Sequence, residues 1–223
     1  MRVLYLIGVM IVAAPLLWSG EVLDRMVATV NGHAILQSDW DDELRYECFM
    51  SGRSMRDLSA EDRRAAFERL IDQELLRAQM SSADFKPVAA DEVNAQLDQF
   101  KQQYARDHSR QAWAKALSSY GTTESEVAAH IAIELNSLRL VDQRLRPSIQ
   151  IEAADVEDYY KKQLLPKLPK SQQISLQEAT PKIRELLAQQ KMNELLNSWL
   201  ESLRSQAQIR IIAPEIPQAQ VQP

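Results

Sequence analysis

Residues 26–39 read MVATVNGHAILQSD, and this stretch determines how the rest of the chain is organised. Met26 to Val30 is rich in apolar and β-branched residues, which favours a short strand. Asn31-Gly32 follows, a dipeptide that tolerates positive φ at both central positions of a hairpin turn. His33 to Leu36 predicts a second short strand. A helix is then predicted to begin at Ser38, whose hydroxyl can accept from the N–H three residues on.

Downstream of this hairpin the sequence predicts several helices joined by short loops. Residues 59–62 and 123–126 each match a capping box, and apolar residues recur behind both at helical spacing. Thr180-Pro181 predicts the start of a last long helix that runs to about Ser205. In the helix after Thr123, the residues predicted to face inward are Val127, Ile131, Leu135, Leu138 and Leu145.

Gln208 to Ile212 alternates polar and apolar residues, which predicts a final strand close to the C-terminal end. A lone short strand is unstable, so a strand near each end of the helical region requires a partner. We therefore expect the two terminal strands to pair, with the last helix folded back on the first ones. The predicted fold class is mainly α, a multi-helix core with a small β element formed by the N- and C-terminal strands.

Composition excludes several classes of function. The chain of 223 residues has a formal net charge of −5 and no lysine- or arginine-rich run, so no basic surface for nucleic acid is predicted. The single cysteine, Cys48, excludes an intramolecular disulfide. His33, His108 and His130 are far apart and lack carboxylates or cysteines at ligand spacing, so no metal site is predicted. The sequence contains no phosphate-binding loop and no nucleophile elbow, and no cofactor or catalytic residue is predicted.

The first twenty residues have the order of a secretory signal peptide. Arg2 precedes an apolar run from Val3 to Leu17, and the small residues Ser19 and Gly20 follow. The chain is therefore predicted to be exported and to act in a periplasm. Trp18, three residues before a cut after Gly20, is bulkier than such sites prefer. If that cut does not occur, the segment would remain as a membrane anchor.

Several segments, taken in order, resemble the SurA-type periplasmic chaperones, which are relatives of the parvulin prolyl isomerases. Each motif is short, but their order and spacing together are typical of that family. The segments that carry the resemblance are VATVNG (27–32), ILQSD (35–39), LIDQELL (70–76), the helix of residues 183–204 and the closing strand of residues 209–212.

The resemblance implies a division of the chain. Residues 1–20 would be the signal peptide and 21–163 a SurA-like N-terminal helical domain. A connector would occupy 164–175, and 176–213 would form a C-terminal helix and strand that complete the core. The tail, 214–223, is rich in proline and glutamine, which predicts disorder.

The family also carries one or two parvulin domains between its N-terminal helices and its C-terminal helix. Here residues 161–177 leave too little chain for a domain of roughly a hundred residues. The isomerase domain is therefore predicted to be absent and the chain not to be an enzyme.

What the resemblance implies is an ATP-independent holdase that binds unfolded or extended polypeptides, such as precursors of outer-membrane proteins. Two alternatives stay open: a divergent prolyl isomerase, and a non-catalytic assembly protein that forms a homodimer. A holdase needs apolar or aromatic surface that stays open to its clients. The same residues would serve as ordinary core residues if their helices pack together. The candidates for client binding are Phe100, Tyr104, Trp113, Tyr120, Tyr159 and Met192.

Overall fold

The computed structural model describes residues 24–81, 84–107, 110–169 and 174–213. The predicted signal peptide, His108 and the C-terminal tail lie outside these ranges. The described residues form seven α-helices and a three-stranded sheet, which confirms the mainly-α prediction. The strands are β1 (Met26–Val30), β2 (His33–Leu36) and β3 (Ile209–Ile211). The helices are α1 (Gln37–Ser51), α2 (Ala60–Gln79), α3 (Ala90–Asp107), α4 (Arg110–Tyr120), α5 (Glu124–Leu145), α6 (Ala153–Tyr159) and α7 (Leu176–Gln206).

The predicted hairpin is confirmed. β1 and β2 pair antiparallel, with Val30 opposite His33. Asn31 has φ of 50° and Gly32 has φ of 85°, so the two turn residues both adopt the left-handed region. A side chain with a branched β-carbon would be strained at either position, which is why the Asn-Gly dipeptide stands there.

The predicted pairing of the two terminal strands is also confirmed. β3 lies antiparallel beside β1, with Val30 opposite Ile209, and the strand order is β2-β1-β3. The side-chain oxygen of Asn31 accepts from the Gln208 amide at 2.9 Å, and the Asn31 amide donates to the Gln208 carbonyl at 2.9 Å. The hairpin turn is thus hydrogen-bonded to the chain directly after the end of α7.

One apolar core lies between this sheet and the first two helices. Trp40 and Phe67 meet there with ring centroids 5.4 Å apart, and the Trp40 indole donates to the Arg63 carbonyl at 2.9 Å. A buried donor that finds such a partner avoids the cost of an unmet hydrogen bond. The largest fully buried side chains of this core are Val27, Val30, Leu44, Phe67 and Ile71.

Two further apolar clusters hold the remaining helices. The second surrounds Phe49 at the end of α1 and includes residues of α3, α4 and α5. The third is small and joins α6 to the first half of α7 through Val156, Ala179 and Ile183. Between α6 and α7, the chain continues from α6 into a π-helical turn, Tyr160–Leu164, and a 3-10 turn, Leu165–Lys167.

The start of α1 differs from the prediction. The Ser38 hydroxyl does not accept from the helix backbone; it donates to the Asp24 carboxylate. Asp39 takes the capping role, because its carboxylate accepts from the Leu36 amide at 2.8 Å. A carboxylate also complements the positive end of the helix dipole better than a hydroxyl does.

The start of α7 was predicted wrongly. Ser175 caps the helix: its hydroxyl accepts from the Glu178 amide at 3.3 Å, and the Glu178 carboxylate accepts from the Ser175 amide at 2.9 Å. Thr180 lies inside the helix and its hydroxyl donates to the Leu176 carbonyl at 2.7 Å. Pro181 is tolerated there, still near the N-terminal end, where few intrahelical bonds are lost.

Within the ranges that the structure describes, no helix combines the length and the apolar character needed to cross a membrane. The same ranges contain no cluster of histidine, cysteine or carboxylate side chains arranged to hold a metal ion.

Candidate functional site

A buried carboxylate lies where α1, α2 and α5 meet. Among the described residues, Glu43 is the one charged residue that is buried, with 4% of its surface exposed. Gln73 of α2 donates to it at 3.4 Å, and the Arg69 guanidinium of the same helix lies 3.6 Å away. His130 of α5 also approaches it, with Nδ1 3.6 Å from the carboxylate. A carboxylate in this position needs such partners, because burial of an unpaired charge is costly.

An aromatic residue of α1 extends this polar cluster. Tyr46 stacks on His130 with ring centroids 4.3 Å apart. The Tyr46 hydroxyl is buried and, within the described residues, makes no hydrogen bond of ordinary geometry. Burial and the neighbouring Glu134 carboxylate raise the pKa of this phenol. Glu134 as a whole is exposed, but its carboxyl group is partly desolvated beside Tyr46, which raises its pKa as well.

A groove runs along one side of the cluster, between α2 and α5 and over β2. We refer to it as the α2–α5 groove; its volume is about 430 Å³, within the size range of small-ligand sites. Its apolar lining includes the large residues Ile35, Leu70, Met80 and Ile133, and its charged lining consists of Asp39, Asp42, Glu74 and Arg77. Gln73 and His130 also line it, so the groove reaches the partners of Glu43.

A second opening lies on the other side of the same cluster. This α1–α5 pocket has a volume of about 500 Å³ and is lined by residues that include Tyr46, Met50, Leu58, Arg69 and Glu134. Met50 is 40% exposed, which is high for a large apolar side chain. The Glu43 cluster therefore separates two openings.

The inner face of α5 is covered at both ends but open in the middle. Residues seven apart lie close to one face of a helix, because two turns take about 7.2 residues. Val127, Ile131, Val141 and Leu145 lie on this face and are buried. Glu134 and Leu138 share the face, yet both are exposed, Leu138 by 64%.

The prediction that Leu138 faces a core is therefore wrong. Its periodicity is right, but no neighbouring helix covers the middle of the face. The first part of α5 packs on the cluster around Phe49, and the Arg144 guanidinium near its end lies 6.0 Å from the Trp199 ring of α7. Leu138 lies between these two contacts and stays open to solvent.

Four of the six predicted client-binding residues come together around Phe49. Its ring centroid lies 5.2 Å from that of Trp113, 5.8 Å from Tyr120 and 6.4 Å from Tyr104. Phe100 packs against the same cluster. All four are half-buried, and the Trp113 indole donates to Glu124 at 3.1 Å. Their packing gives them a part in holding α3 and α4 to α1.

The other two predicted residues lie elsewhere. Tyr159 is half-buried in the small cluster between α6 and α7, and Met192 is half-buried on α7. The structure does not bring either of them to the aromatic residues around Phe49.

Sequence reasoning missed the Glu43 cluster. One signal was present: Glu134 falls on the apolar stripe of α5, seven residues after Val127 and seven before Val141. A charged residue on such a stripe indicates an opening or a buried polar partner. The partners themselves depend on the relative positions of three helices, which periodicity does not give.

In a comparison with protein-family models, residues 2–141 match the model described as SurA-like N-terminal domain. The matched span covers more than half of the chain and includes β1, β2, α1, α2 and most of α5. None of the curated proteins that were compared with the chain matches it.

Proposed function

The chain belongs to the family of proteins with a SurA-like N-terminal domain, and from this membership we propose that it is an ATP-independent chaperone. Its clients would be unfolded exported proteins, such as outer-membrane precursors, held until they fold or insert. Family membership also suggests a periplasmic location, in keeping with the signal peptide predicted at residues 1–20.

Exposed apolar surface on and beside the middle of α5 is the observation that best supports this proposal. A holdase must keep apolar surface available without burying it in its own core. Leu138, Met50 and Ile133 are large apolar residues that stay 64%, 40% and 43% exposed. Ile133 lines the α2–α5 groove and Met50 the α1–α5 pocket, so exposed apolar surface lies on both sides of the Glu43 cluster.

The described residues between α6 and α7 support a binding role rather than prolyl isomerisation. Residues 160–167 form two short helical turns that continue α6, and α7 begins at Leu176. A further domain of roughly a hundred residues does not fit between these elements.

Suppression of aggregation by the full chain, measured by light scattering without ATP, tests the proposal. A chemically denatured outer-membrane protein would be diluted into buffer with and without the chain. We expect less scattering when the chain is in several-fold molar excess. Unchanged scattering at that excess would contradict a holdase function.

A pair of variants locates the activity. Leu138→Asp places a charge in the open part of the α5 face and should weaken suppression, because apolar client segments would lose their contact. Leu186→Asp, at another exposed apolar position on α7, is the matched control and should suppress as the unchanged chain does. Equal activity of both variants would move the binding surface away from α5.

A further inference from the structure

We propose that the α2–α5 groove selects client segments in which a leucine-like residue is flanked by lysine or arginine. The inference rests on the proposed holdase function and names the chemistry of the clients that this groove prefers. It is drawn from the charges around the groove, taken together with its apolar lining.

The carboxylates that line the groove outnumber its cations. Asp39, Asp42 and Glu74 line it, against Arg77 alone among the lysine and arginine side chains. Asp39 accepts from the neutral Leu36 amide, which leaves its negative charge in place. Burial lowers the pKa of His130, so its imidazole adds no positive charge near neutral pH. The lining therefore carries net negative charge.

The two arginines at or beside the groove are each ion-paired with one of its carboxylates. Arg77 donates to Glu74 at 2.6 and 2.8 Å, and its side chain is 57% exposed. Arg45 pairs with Asp42. Each of these pairs is partly open to water, and such pairs exchange partners at little cost. A lysine or arginine of a client can therefore approach the same carboxylates.

The buried Glu43 carboxylate adds to the negative electrostatic potential of the α2–α5 groove. Its carboxylate lies beneath the groove with Gln73 and His130 above it. Its cation, Arg69, lines the α1–α5 pocket on the other side. Charges in a partly desolvated cleft act more strongly than charges on an open surface, because the surrounding protein screens them less than water does.

The shape of the groove suits a short extended segment. Ile35, Leu70, Met80 and Ile133 provide an apolar contact for one or two large apolar side chains. The neighbouring residues of an extended segment point the other way, but lysine and arginine have long flexible stems that reach back to charged groups at the edge. An acidic neighbour would meet carboxylates of its own sign and be disfavoured.

Fluorescence anisotropy with three labelled peptides of one length tests the inference. The peptides alternate leucine with lysine, with glutamine or with glutamate. We expect the lysine peptide to bind about fivefold more tightly than the glutamine peptide, the effect of one or two partly exposed ion pairs. The glutamate peptide should bind more weakly than both, and added salt should reduce the differences. Equal affinity for the lysine and glutamate peptides would overturn the inference.

Variants assign the preference to this groove. Glu74→Gln removes one carboxylate and releases Arg77, so the advantage of the lysine peptide should largely disappear. Asp39→Asn should reduce it less, because one charge is lost and no cation is released. The control is Asp158→Asn, which changes an exposed, ion-paired carboxylate on α6 and should leave the preference intact. An unchanged preference in both groove variants would overturn the assignment.

Two further results separate this inference from the broader proposal. Aggregation suppression without any preference among the peptides would overturn the inference and leave the holdase function standing. Light scattering of the chain alone gives its mass in solution. A dimer of the unchanged chain that dissociates in Glu74→Gln would place a second copy in the groove and overturn the inference as well.

Discussion

His130 lies flat against Tyr46, with ring centroids 4.3 Å apart and ring planes within 6° of parallel. The two residues join α5 to α1 directly beside the buried Glu43 carboxylate. Burial lowers the pKa of His130, although the nearby carboxylates Glu43 and Glu126 act in the opposite direction. The stacked imidazole is therefore neutral near pH 7.

A dependence of stability on pH follows from this arrangement. The pKa of His130 is lower in the folded chain than its usual 6.5 in the unfolded one, so the unfolded chain binds the proton first. The contribution of His130 should be complete above about pH 6.5 and lost as the pH falls toward its folded pKa. Urea denaturation at a series of pH values measures it.

His130→Gln should weaken that pH dependence, whereas His33→Gln, which changes an exposed histidine, should keep it. The sign would be wrong if the unchanged chain grew more stable on acidification and His130→Gln removed the gain.

Ser175→Ala should destabilise the chain by about 1 kcal/mol, the usual cost of losing an N-cap hydroxyl. Thr180→Ala is the matched comparison, because the sequence favours Thr180 as the cap and the structure places it inside α7. It should cost less than Ser175→Ala. Chemical denaturation of both variants gives the two free energies, and a larger loss for Thr180→Ala would indicate that α7 begins at Pro181.

Arg204 fastens the end of α7 to α2. Its guanidinium donates to Asp72 at 2.7 Å, to the Glu68 carboxylate at 2.6 Å and to the Glu68 carbonyl at 3.1 Å. Lysine cannot reproduce this planar set of bonds, so Arg204→Lys should cost about 1–2 kcal/mol.

Hydrogen exchange should show the loss of Arg204 locally, as faster exchange in β3 than elsewhere. Arg184→Lys, whose guanidinium makes a single bond to the Ile151 carbonyl, is the control. Equal protection of β3 in Arg204→Lys and in the unchanged chain would show that the strand is held by its pairing with β1 alone.

Trp113→Ala should destabilise the chain by about 2 kcal/mol, somewhat less than the 3–5 kcal/mol typical of fully buried aromatic residues. The reason is its packing on Phe49 and Tyr104 and its hydrogen bond to Glu124. Thermal denaturation measures the loss, and aggregation suppression tests whether Trp113 also contacts clients. Full stability with lost suppression would make Trp113 a client-binding residue after all.

The hairpin and the pairing of the terminal strands could be predicted from sequence for different reasons. The hairpin is local: Asn31-Gly32 favours one kind of turn, and the segment before it, Met26 to Val30, is rich in the apolar and β-branched residues that favour a strand. The β1–β3 pairing joins the two ends of the described fold. It could be predicted because the sequence offers few strands, so the last strand had few possible partners.

The start of α7 was harder because two caps compete within a few residues. Ser175 with Glu178 forms a reciprocal pair of bonds, whereas Thr180-Pro181 offers a cap and a favoured first-turn residue. The reciprocal pair lies further from the centre of the helix and lengthens it, which adds intrahelical bonds. Local patterns alone did not rank the two.

The openings on either side of Glu43 could not be predicted, because periodicity tells which face of a helix is apolar and not where that face is covered. Leu138 fits the α5 stripe as well as Leu145 does, yet only Leu145 is buried. Likewise, Glu43, Gln73 and His130 meet because three helices cross at one level, which depends on their packing angles.

The bond between Asn31 and Gln208 joins residues that are 177 positions apart in the chain. During synthesis the hairpin leaves the ribosome long before β3 exists, so one edge of β1 has no partner throughout most of elongation. Closing so long a loop is slow compared with forming a helix. We therefore expect the sheet to be completed last. Until then, the unpaired edge of β1 must be kept from pairing with a strand of another chain.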